Sequence, residues 1–134
     1  MVRLLKGASL LLALTLVLAG CQVKRSPSGF RLPDGNAEAG KAAFVDLQCA
    51  TCHTVKGVDL PAPQMSPAVA LGGSSVLPKT DGEFVTDIIL PSSHFASGYA
   101  ASQVQEGSKS KMPDYAARIT IRQLADLVAF LQRR

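Results

Sequence analysis

The sequence predicts an all-α domain, and three observations carry that expectation. Capping boxes open two apolar-periodic segments, at Thr80-Asp81-Gly82-Glu83 and at Thr120-Ile121-Arg122-Gln123. A third segment, from Ala37, sets Gly40, Phe44 and Leu47 on one helical face at spacings of four and three. Nowhere does a run of residues alternate apolar and polar as a half-buried strand does.

The chain has 134 residues, room for one domain, and its start does not read as fold. Arg3 and Lys6 precede an apolar run from Ala8 to Ala19 broken only by Ser9 and Thr15. Such a run is about half of the ~20 residues a membrane-spanning helix needs, so residues 1–20 are expected to be a secretory signal. It ends in Leu18-Ala19-Gly20-Cys21, which resembles the lipobox of bacterial lipoproteins. There the small residues suit a peptidase cleft, and the cysteine thiol takes the diacylglycerol. The resemblance implies a lipid anchor on Cys21, hence a periplasmic, membrane-attached protein. By the same family's sorting rule Gln22 implies the outer membrane of a Gram-negative cell. A single acyl chain binds a membrane only marginally, whereas two or three anchor it durably. Residues 21–33, rich in Pro, Ser and Gly, are expected to be a lipidated tether reaching roughly 20 Å.

The folded domain is expected over residues 34–134. Its first helix runs from Ala37 to about Gln48, capped by Asn36 or Asp34, with Glu38 in the first turn. A second runs from Asp81 to about Leu90, stopped by Pro91. The last follows Thr120 and carries the stripe Leu124, Leu127, Val128 and Leu131. Long loops remain at 54–79 and 91–119. Loops of this length are uncommon in a compact domain unless they work or wrap something. Between residues 34 and 134 only four phenylalanines and two tyrosines are available to fill a core. A buried cofactor accounts for both features.

Removing the first 20 residues leaves twelve basic and ten acidic residues, lowering the formal charge from +4 to +2. That balance does not indicate a nucleic-acid binder. Three cysteines do not make a disulfide framework in an exported protein, since one is left over. With Cys21 lipidated, the other two share one task. Cys49-Ala50-Thr51-Cys52-His53 is the attachment pattern for c-type haem. Two thiols add to the haem vinyl groups as thioethers, the two-residue spacer matches their separation, and the next residue brings an imidazole to the iron. A zinc site wants a second pair of ligands, which is missing. A thioredoxin-type pair wants a βαβ context, also missing. A disulfide across two residues leaves His53 unexplained.

These residues, with Gly40 and Phe44 before them, Lys109-Ser110-Lys111-Met112-Pro113-Asp114-Tyr115 after them and Leu124 to Leu131 last, resemble the class I c-type cytochromes in order and over nearly the whole domain. The resemblance implies a small cytochrome c fold, three to five helices wrapped around one covalently bound haem c. It implies that Gly40 and Phe44 meet Leu127 and Phe130 where the first and last helices cross. It also implies His53 and Met112 as the two iron ligands, Met65 and His94 being the rivals for Met112. A proline carbonyl then orients the histidine ring through Nδ1. Pro67, followed by Ala68-Val69, fits best, with Pro61 and Pro63 as alternatives.

With both axial positions filled, such a protein is a one-electron carrier and not an enzyme. No catalytic triad, paired-carboxylate pocket or phosphate loop is visible in the sequence. Its partners are redox proteins, which the resemblance places at an exposed haem edge. Lys109 and Lys111, and Lys56 and Lys79 near the same rim, are candidates to steer them. A haem subunit built into a larger membrane oxidoreductase is the main alternative, and a haem-based ligand sensor the lesser one.

Overall fold

The computed structural model describes residues 30–72 and 79–132. The first 29 residues, with Cys21 and the expected signal and tether up to that point, lie outside the described residues. Among the described residues no helix is long and apolar enough to cross a membrane.

Helix α1 spans Ala37–Asp46. Asn36 caps it, Oδ1 accepting from the amides of Glu38 at 2.9 Å and Ala39 at 3.0 Å, which satisfies donors the first turn would leave orphaned. After the cap at Leu47, Gln48 takes a left-handed conformation with φ 61° and turns the chain into a 3₁₀ turn over Cys49–Thr51. α2 spans Asp81–Ile89 behind the Thr80 capping box, Thr80 N donating to Glu83 Oε2 at 2.7 Å and Glu83 N to Thr80 Oγ1 at 3.3 Å. α3, Ala101–Val104, is a single turn. α4 spans Ile121–Leu131 behind the second capping box, with Gln123 N donating to Thr120 Oγ1 at 3.1 Å.

The all-α expectation needs a correction within a small helical fold. His53–Val55 (β1) pairs in parallel with Val69–Leu71 (β2), His53 opposite Val69. Gln105–Glu106 (β3) pairs antiparallel with Lys109–Ser110 (β4). Strands of two or three residues are too short to show a period of two, which is why the sequence pattern hid them. Both expected loops are therefore partly structured.

The core lies where α1 crosses α4. Phe44 and Leu127 are its most buried large side chains. The Phe44 and Phe130 rings meet edge to face at 5.6 Å, so Phe44 and Phe130 pack at the crossing as expected. Contact this close requires that α1 lack a side chain at its middle. A Cβ on Gly40 would sit 1.9 Å from the Asp126 carbonyl oxygen. Just before α1, a Cβ on Gly35 would sit 2.0 Å from the Ala125 carbonyl oxygen. Asp126 is buried within this apolar stripe, and its Oδ1 accepts from Asn36 N at 2.7 Å, joining the start of α1 to the middle of α4.

Candidate functional site

The site grows out of the end of α1. Tyr115 donates its hydroxyl to the Leu47 carbonyl at 2.8 Å and is itself buried, which pins the turn from the side of the 91–119 segment. The 3₁₀ turn then buries Ala50 in the core while Cys49 and Cys52, on either side, stay half-buried with free thiols. Cys52 N donates to Cys49 O at 3.2 Å, so the two residues are held one turn apart.

The 54–79 segment folds back on this turn. Thr51 O accepts from Gln64 N at 2.8 Å and Met65 N at 3.0 Å, and Cys52 O accepts from Val69 N at 2.9 Å. The return brings the Val69 carbonyl to 3.3 Å from His53 Nδ1. Here the expectation for Pro67 is corrected. The carbonyl that faces the ring belongs to Val69, two residues later, because β1–β2 pairing sets His53 opposite Val69, while Pro67 stays exposed. The role is kept and its bearer moves.

Burial lowers the His53 pKa, with the Val69 hydrogen bond opposing it, so the ring is neutral near pH 7. A neutral imidazole that donates from Nδ1 to a carbonyl presents its Nε2 lone pair as a ligand. The Phe44 ring lies 6.5 Å from it, tilted by 55°. Burial pushes the Cys49 thiol up, against a hydrogen bond with Tyr115 that lowers it. A raised thiol pKa is the reverse of what an exchange-active dithiol needs. Among the described residues no three His, Cys, Asp or Glu side chains gather as a metal cage. Two thiols one turn apart and an oriented imidazole on the next residue fit covalent haem attachment.

Of the three residues expected to compete as the second iron ligand, the structure sets His94 apart from the two methionines. Met112 is half-buried and packs against the core. Its amide donates to Ser110 Oγ at 3.1 Å, and Ser110 N donates to Ser92 Oγ at 3.0 Å. Met65 is half-buried on the returning segment. His94 is on the surface, its side chain 74% exposed and its Nδ1 3.1 Å from Ser93 Oγ and 3.9 Å from Asp87. Of the four lysines expected to steer partners, Lys79 is paired with Asp87 and Lys111 donates to the Ser102 carbonyl, while Lys56 and Lys109 are exposed.

Sequence reasoning missed Val69, Tyr99, Tyr115, Ser110 and Ser92. Two tyrosines in a domain poor in aromatics are the one signal available, since a buried phenol hydroxyl nearly always finds a partner.

A family model described as cytochrome c matches residues 37–134. No curated protein and no solved structure matches the chain. The chain belongs to the cytochrome c family, as a class I c-type cytochrome: an electron-transfer haemoprotein rather than an enzyme, with covalently bound haem c and redox proteins as partners.

Proposed function

We propose that this cytochrome c is a membrane-anchored monohaem carrier of single electrons, its haem thioether-linked to Cys49 and Cys52 and its iron held by His53 and Met112. The observation that carries this reading is the His53 ring, tied through Nδ1 to the Val69 carbonyl at 3.3 Å directly after two free thiols. Once bound, haem supplies one-electron exchange between ferrous and ferric iron. The chain does the rest. β2 fixes the tautomer of His53, and the Ser110–Ser92 pair holds the backbone at Met112. Pro113 removes a rotation and an N–H next to the ligand. A thioether from Met112 together with the His53 imidazole would favour ferrous iron and raise the reduction potential. Surface-exposed His94 has neither the burial nor the packing of Met112.

The anchor is the lipidated Cys21 that follows residues 1–20, with the residues after it as a tether that ends before Leu32, which is buried in the core rather than part of a free linker as expected, and the domain on the periplasmic side of a bacterial membrane. What supports it is the Leu18-Ala19-Gly20-Cys21 run behind an apolar stretch too short to span a bilayer.

Optical spectroscopy of the holoprotein tests the ligands. A far-red sulfur-to-iron band is expected that vanishes in Met112→Ala and survives in Met65→Ala and His94→Ala. A band that survives Met112→Ala refutes the assignment. Cys21→Ala should move the mature protein from the membrane to the soluble periplasmic fraction, and a lipid adduct should be absent from its N-terminal peptide by mass spectrometry.

A further inference from the structure

Strand β2 has one partner strand, β1, and its other edge carries the backbone groups of Ala68 and Ala70. In a strand, successive residues turn their N–H and C=O to opposite sides, so Val69 serves β1 while its two neighbours face outward. Tyr99 fills that outward edge. Its hydroxyl accepts from Ala70 N at 2.9 Å and donates to Ala68 O at 3.4 Å. One oxygen thus straddles Val69. Val69 itself is buried, its N–H on Cys52 O and its carbonyl facing His53 Nδ1.

The Val69–His53 distance of 3.3 Å lies just beyond the common range for an N–H···O bond, where strength changes steeply with small movements. A strand of three residues with one short partner has little stiffness of its own. Whatever fixes Ala68 and Ala70 therefore fixes how well the carbonyl between them holds the ring. A hydrogen bond to Nδ1–H makes the imidazole a stronger donor at Nε2, which favours ferric iron.

We propose that Tyr99 is a positioning residue that tunes the reduction potential, its hydroxyl bracing β2 so that the Val69 carbonyl holds His53. This rests on His53 being an iron ligand, as proposed above. Tyr99 reaches the site from the segment that continues through α3 and the β3–β4 hairpin to Met112, so one side chain links the stretches bearing both axial ligands.

The test is Tyr99→Phe in the holoprotein, which keeps the ring and deletes the brace. At the wild-type midpoint potential the variant should show a two- to fivefold higher ratio of reduced to oxidised protein, about 20–40 mV at 59 mV per tenfold. The His53 Nδ1 proton should exchange with solvent faster by NMR. Tyr99→Met, which fills the space without bonding the backbone, carries the same expectation. Thr120→Ala, a remote cap loss, should lower the unfolding midpoint and leave the potential in place. An unmoved potential and unmoved exchange in both Tyr99 variants, whatever their stability, overturn the proposal. So does an equal shift in Thr120→Ala. A wild-type protein without an iron-bound His53 resonance sinks the ligand assignment itself, whereas a wild type with that resonance beside unmoved variants sinks only the role of Tyr99.

Discussion

Replacing Gly40 by alanine should destabilise the domain, against the sign that helix propensity alone gives. In the middle of a helix alanine is favoured over glycine by about 1 kcal/mol. At this position, however, the new Cβ would lie 1.9 Å from the Asp126 carbonyl oxygen and 2.7 Å from Phe130 Cβ. Neither neighbour can swing aside, since one is backbone inside α4 and the other is the root of a core side chain. Relief requires α1 to lift from α4 by roughly 1.5 Å to regain ordinary contact distance. A gap of that size forfeits much of the dispersion around Phe44, Phe130 and Leu127. Overpacking of this kind costs typically 1–3 kcal/mol, and a rigid obstacle puts it at the upper end, about 3 kcal/mol. For a domain near 100 residues that lowers the thermal midpoint by roughly 12 °C or more. Gly82→Ala is the internal control. It is also a helical glycine, but its Cβ would find nothing nearer than Thr80 Oγ1 at 4.0 Å. There the same change should stabilise by about 0.4–1 kcal/mol. Thermal unfolding of the two holoprotein variants, followed by far-ultraviolet circular dichroism, reads both signs. A Gly40→Ala midpoint equal to or above wild type refutes the close crossing.

Three further outcomes follow from named contacts. Asp126→Ala strips the acceptor 2.7 Å from Asn36 N and leaves that donor unsatisfied, so urea unfolding should show a loss of about 1–3 kcal/mol. Thr120→Ala removes the hydroxyl that accepts from Gln123 N and should cost about 1 kcal/mol by the same assay, with the haem spectrum unchanged. Burial, the largest cause, pushes the Tyr115 hydroxyl up to about 12 from 10. Its folded-state pKa is raised, so the stability it contributes is complete below pH 10 and is lost as pH rises through about 12. Unfolding free energy should therefore fall more steeply between pH 10 and 12 in wild type than in Tyr115→Phe, and equal slopes would count against the burial of that hydroxyl.

What the sequence shows and what it hides divides along contact range. The capping boxes at Thr80 and Thr120 are legible because donor and acceptor lie three residues apart, and both form in the structure. The Cys49-to-His53 motif is legible because its chemistry is local. Helix ends are read within a few residues: α1 stops at Asp46 where a continuation to about Gln48 is expected, since Gln48 leaves helical geometry to start the turn toward Cys49. Contacts over long separations are another matter. Asp126 reads as an ordinary polar position on α4 until Asn36 arrives 90 residues away in sequence to use it. Pro67 fails as the orienting carbonyl for a similar reason. The order of residues brings the right segment back to His53, but register alone decides which carbonyl of that segment faces Nδ1, and three-residue strands carry no periodicity from which to read it.

The same division explains how so little regular structure holds a site in place. Fixing one residue of backbone costs about 1–2 kcal/mol in entropy, and among the described residues the segments between α1 and α2 and between α2 and α4 contain few helical ones to offset it. In their place stand side-chain oxygens, each fastening a long segment to the backbone beside a functional residue. Tyr115 ties the chain after Met112 to Leu47, two residues before Cys49. Tyr99 braces the strand that faces His53. Ser110, itself held by Ser92, fixes the amide of Met112. The Tyr115, Tyr99 and Ser92–Ser110 contacts cross from one segment to another, so they form only once the segments have closed around the common centre, and each stiffens the backbone beside a proposed haem-holding residue rather than the core at large. Electron transfer would reward that arrangement if His53 and Met112 hold the iron as proposed, because ligands fixed by directional bonds keep reorganisation between oxidation states small. The helices supply the stability at the α1–α4 crossing, and the hydroxyls turn the irregular remainder into a mount for the haem.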